Sequence, residues 1–130
     1  MNEVVQEWLE HGLADLGTAQ REAAVVESTN WFAVCFHAQQ AVEKLFKGAL
    51  AASKVVAPRT HDLVLLSEML TAASADWHAD TLVLSDLTRG AVQFRYPGEH
   101  PTAEEARIMV AAAEEVCARL RQFIAELPEA

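Results

Sequence analysis

Two cysteines, four prolines, five glycines and a single tyrosine are all that 130 residues contain of these types. Two thiols cannot build a disulfide framework. Cys35 and Cys117 belong to no CxxC or Cys/His zinc pattern, which points to a reducing compartment. With so little glycine and proline, and 52% hydrophobic residues, the chain is not a disordered one. No apolar stretch approaches the ~18 residues of a membrane span, and the opening MNEVVQEWLEHG lacks the basic-then-apolar pattern of a secretory leader. A cytoplasmic protein of one domain is the expectation, with no membrane role. Basic residues are also scarce. Ten Lys+Arg against 19 Asp+Glu leave a net charge of -9, which argues against a protein that coats nucleic acid through bulk charge but leaves room for a small basic site. Glycine-rich phosphate loops and HExxH are absent, and the five histidines include no i, i+4 pair. Neither a metal nor a cofactor is expected.

The charge is unevenly spread. Residues 1–36 carry -5 and residues 101–130 carry -3, while residues 37–100 carry only -1. An anionic ligand therefore meets least repulsion in the middle of the chain. Apolar residues recur at helical spacing nearly throughout, and nothing alternates as a strand does. The spacing predicts a first helix over about Val4 to Val26, with Asp15 near the edge of its apolar stripe. Ser28, Thr29 and Asn30 then stop it and cap the next. A second helix runs from Trp31 to about Ser53. One arc of about 120° carries His37, Gln40, Glu43, Lys44 and Lys47, shared with Ala33, Phe36 and Ala51. Its remaining face is apolar and includes Phe32. Val34, Ala38, Ala41, Leu45, Gly48 and Ala52 form a ridge small enough for another helix to approach closely. Gln39 falls inside the apolar arc and needs partners if buried. Thr60 can cap a third helix from His61 to about Ala73. A fourth runs from Trp77 or Asp80 to Phe94 or Arg95, where Tyr96-Pro97-Gly98 must end it. Thr102 and Glu105 form a capping box for the last, which continues to about Leu127. About five helices with short connectors describe an all-α, antiparallel up-and-down bundle.

The loop Arg95-Tyr96-Pro97-Gly98-Glu99-His100 carries the most chemistry. It sets a fixed cation and a titratable imidazole at one helix end. Arginine can stabilise the extra charge of a phosphorane-like transition state, and histidine can move the proton of a ribose 2′-hydroxyl or leaving oxygen. As plain structure, Arg95 caps a helix C-terminus and His100 is a loop residue. His37, Lys44 and Lys47 form a second candidate, a phosphate-holding stripe or else the solvated face of a buried helix. Arg89 lies about 120° from Arg95 on the fourth helix; it joins a basic patch or pairs with Asp86.

His37-Ala38-Gln39-Gln40-Ala41-Val42-Glu43-Lys44-Leu45-Phe46-Lys47, then Thr60-His61-Asp62-Leu63, then Arg95-Tyr96-Pro97-Gly98 resemble, in that order, the HEPN domain (higher eukaryotes and prokaryotes nucleotide-binding). The resemblance covers essentially the whole chain. It implies a helical bundle that pairs as a homodimer and associates with a small nucleotidyltransferase as a toxin–antitoxin pair. It also implies nucleotide or phosphate binding near Arg95, with Arg89, Tyr96, Lys44, Lys47 and His37 as further candidates. Many HEPN proteins are similar to metal-independent endoribonucleases whose Arg-x4-6-His motifs face each other across a dimer cleft. Arg95 and His100 match that motif. Tyr96 replaces the small polar residue usual after the arginine, and Pro97-Gly98 interrupts the motif. The RYPG form looks like the branch described as nucleotide-binding or accessory.

Overall fold

The computed structural model describes residues 2–128; the side chain of Arg95 lies outside the described part. Five α-helices form, and no strand occurs among the described residues: α1 (Glu3–Ala23), α2 (Trp31–Ala52), α3 (Leu63–Ala73), α4 (Thr81–Val92) and α5 (Ala103–Glu126), with one 3-10 turn at Gln93–Arg95. The all-α bundle read from the periodicity is the fold.

Local chemistry sets the helix ends. The Asn2 side chain accepts from the Val5 amide, starting α1. That helix stops three residues earlier than its pattern suggests, because Ala24 and Val25 close tight i−3 bonds and Ser28 turns left-handed at φ 54. Val26 then stands almost fully in solvent. Asn30 caps α2 as expected, accepting from the Ala33 amide at 3.1 Å. The cap of α3 is Asp62 and not Thr60. Its carboxylate reaches the Val64 and Leu65 amides, where negative charge also suits the helix dipole, while Thr60 only braces the Asp62 amide. Asp80 caps α4, and the full Thr102/Glu105 capping box opens α5. Those hydrogen bonds from Thr102 hold the Glu105 carboxyl below its ordinary value.

The α1–α2 pair is antiparallel and unusually close. A Cβ on Gly12 would strike Leu45, and one on Gly48 would come within 3.1 Å of Trp8. The small-residue ridge on α2 is what permits this approach. On its other side α2 packs on α4 and α5, so Val34, Ala38, Ala41, Leu45 and Ala49 are wholly buried. Trp77, just ahead of α4, sits edge-to-face between Phe46 and Phe123 and donates its indole N–H to Ser67. That layer joins α2, α3, α5 and the α3–α4 connector in one core. No helix among the described residues is long and apolar enough to cross a membrane.

Candidate functional site

The polar arc of α2 is not a solvated face. Glu43 is only 5% exposed, and its carboxylate accepts from Lys47 Nζ at 2.9 Å, His61 Nδ1 at 2.8 Å and Gln39 Nε2 at 3.2 Å. Burial alone would raise the Glu43 carboxyl, but hydrogen bonds from Lys47, His61 and Gln39, with the Lys47 charge, outweigh it and hold it below its ordinary value. Gln39, fully buried, finds the partners it requires. It donates to the His61 carbonyl at 2.9 Å and accepts from Gln40 at 2.8 Å. The α2–α3 connector is thus folded back along α2 and pinned at His61. Lys47 is committed to this network, with its ammonium 5.7 Å from the centre of the Trp8 ring.

One turn along, α1 supplies a second carboxylate. Asp15, with a side chain 12% exposed, accepts from His37 Nδ1 at 2.8 Å and from Lys44 Nζ on its other oxygen. An ionised carboxylate can only accept, so Nδ1 of His37 carries the proton and Nε2 is the remaining ring nitrogen.

His37 also lines an open groove of about 650 Å³. Phe32, Ala33 and Phe36 of α2 line one side, the buried Gly90 and Phe94 form the floor, and Tyr96, Pro97 and His100 complete the rim, with His100 against Phe32. That rim is shaped by a tight turn in which the Glu99 amide donates to the Tyr96 carbonyl at 3.1 Å. Pro97 and Gly98 occupy its centre. Tyr96 is extended, as a residue before proline must be, and Gly98 takes the φ of +89 that such a turn needs at its third position. The imidazole of His100 stands edge-on to Phe32, 5.5 Å between centroids, and that of His37 edge-on to Phe36 at 5.4 Å. Phe32 and Phe36 are therefore neighbours one helical turn apart, each carrying a histidine. Both are about 40% exposed, and Tyr96 is 65% exposed.

Of the candidate residues, the groove brings together His37, Tyr96 and His100. The backbone of Arg95 lies between Phe94 and Tyr96, which both line it; the Arg95 side chain, named for catalysis and for phosphate binding, falls outside the described part. Arg89 is directed elsewhere. Its guanidinium bonds Gln93 at 2.6 Å and pairs with Asp86 at 3.6 Å, as expected, and with Glu105 at 3.9 Å. Lys44 and Lys47 are held by carboxylates and line no part of the groove.

Two contributors escape a reading by sequence. Helical periodicity assigns Phe32 to the buried face, yet it forms the groove wall. Asp15 lies merely at a stripe edge. One signal for the groove is present: Ala33 and Phe36 share the polar arc with His37, and an aromatic ring on such an arc marks an apolar surface open to solvent.

The HEPN domain family model matches residues 5–123. The chain belongs to the HEPN family. Among solved structures, this HEPN protein is similar to TT1696 from Thermus thermophilus, at 25% identity and a TM-score of 0.78, over 95% of this chain and 99% of that one. It also shares its fold with ST0689, an archaeal HEPN homologue, at 20% identity and a TM-score of 0.69, over 95% and 99% of the two chains. No curated protein matches it.

Proposed function

We propose that this HEPN protein is the homodimeric partner of a small nucleotidyltransferase, in a pair of toxin–antitoxin type in the cytoplasm, and that the groove beside Arg95 holds a nucleotide or an RNA phosphate. The groove carries this reading. Phe32, Phe36 and Tyr96 offer exposed rings on which a base can stack, and His37 and His100 offer nitrogens for phosphate oxygens. The acidic chain ends suit docking to a more basic protein. Titrating purified protein with AMP and with a short single-stranded RNA tests the groove. Tyr96→Ala and Phe36→Ala should each weaken binding about 10-fold, the loss of one stacking partner. Absence of binding at millimolar ligand rejects the reading. The partnership is tested by co-purification with a nucleotidyltransferase from the same cell, and the dimer by sedimentation.

The groove also supports a second reading, a metal-independent endoribonuclease, because His100 lines it together with Phe94 and Tyr96, the chain neighbours of Arg95. Here Arg95 would stabilise the phosphorane-like charge and His100 move the proton, with a second protomer completing the cleft. RNA cleaved without metal, leaving 2′,3′-cyclic phosphate ends and abolished by His100→Ala, is the outcome that would place this reading first.

A further inference from the structure

We propose that His37 is the group that contacts the ligand's phosphate in this groove, and that it takes up a proton in doing so, which makes binding tighten as pH falls. The inference rests on the nucleotide-binding reading of the groove.

It follows from the hydrogen bonds around one ring. The Nδ1 proton of His37 is committed to Asp15, whose carboxylate accepts it at 2.8 Å. In the neutral ring Nε2 is then a bare lone pair. Phosphate oxygens are also acceptors only, so a neutral His37 would set two lone pairs against each other. Contact requires a proton on Nε2, and with Nδ1 already protonated that ring is an imidazolium. Charge balance agrees. The Asp15 carboxylate is already matched by the Lys44 ammonium, so that pair is neutral. A proton on His37 adds one positive charge, which an anion in the groove offsets.

The other groups around the ring do not replace this device. Lys44 is on α2 and is committed to Asp15. Gly90 of α4 and Phe94 of the 3-10 turn carry no charge. Tyr96 and His100 line the same groove, His100 against Phe32. His100 is the other imidazole able to take up a proton, so the experiment must separate the two.

The probe should be a dinucleoside monophosphate, whose single phosphodiester charge is constant between about pH 5 and 9, so that protonation changes belong to the protein. Calorimetric titration of the full chain in buffers of different protonation enthalpy reads proton uptake directly. Wild type should take up close to one proton per ligand above the imidazole range, with Kd rising up to about tenfold per pH unit there. Asp15→Asn should still bind but with uptake largely lost. An asparagine amide can donate to Nδ1, which frees the neutral tautomer with its proton on Nε2. His37→Gln should bind more weakly, with no uptake assignable to that site, whereas His100→Gln should keep the coupling. Binding of wild type without proton uptake, or coupling that survives in His37→Gln and vanishes in His100→Gln, overturns the assignment of His37 alone. Absence of binding at every pH overturns the nucleotide-binding reading, and this one with it.

Discussion

Glu43 is the residue on which the connector depends. It is nearly inaccessible, yet ionised, because Lys47, His61 and Gln39 all donate to it. Removing its charge leaves Lys47 with a side chain 12% exposed and no counter-charge there, the circumstance in which breaking a pair is costly. Glu43→Gln should therefore lower unfolding free energy by about 3 kcal/mol at neutral pH, measured by urea denaturation. The pH dependence has a definite sign. Because the folded-state pKa lies below the unfolded one, the contribution is fully present above the unfolded value of about 4.3 and is lost as pH falls through the depressed folded value. Wild type should lose more stability than Glu43→Gln between neutral and strongly acid pH. Parallel acid limbs for the two proteins would show that the carboxylate contributes no net stabilisation.

At the scale of elements, close helix contacts set the register that builds both polar clusters and the groove. Gly90 is the clearest case. A Cβ there would lie 2.5 Å from the Cys35 carbonyl oxygen, a backbone atom on α2 that no rotamer change can move aside. Gly90→Ala gains helix propensity but must push α4 from α2, and overpacking of this kind costs about 1–3 kcal/mol. It should also weaken the proposed nucleotide binding, since Gly90 floors the groove; a variant as stable as wild type would refute the close approach. Such contacts explain what could be read in advance. The caps at Asn30 and Thr102 and the small ridge on α2 are local patterns, and each appears as expected. Asp62 in place of Thr60 is a choice between two good caps two residues apart, decided when His61 turns back to Glu43. The Asp15–His37 pair spans two helices and 22 positions. It exists only because Gly12 and Gly48 fix how α1 slides along α2, a distance no single helix's periodicity contains. The groove depends likewise on where the Pro97-Gly98 turn aims His100.

Across the whole molecule, the core that buries the α2, α4 and α5 contacts contains both thiols. Cys35 and Cys117 are at most 1% exposed. Burial pushes the Cys35 thiol up to about 11, with the Glu105 charge adding to it, and burial pushes Cys117 up to about 12. The thiolate is the nucleophile, so neither should react with a disulfide reagent in the folded protein near pH 8. Their positions give this protection a further use. Cys35 lies on α2 directly behind Gly90, the floor of the groove, and Cys117 lies on α5. If one core melts as a unit, both thiols become reactive at the same urea concentration, coincident with loss of helical circular dichroism. Earlier reaction of Cys35 alone would mean that the α2–α4 contact opens by itself and that the groove floor moves in the folded protein. Coincident exposure would mean the opposite: the rings and imidazoles of the groove stand on a floor no less stable than the fold. A ligand would then meet a preformed site, with little ordering cost.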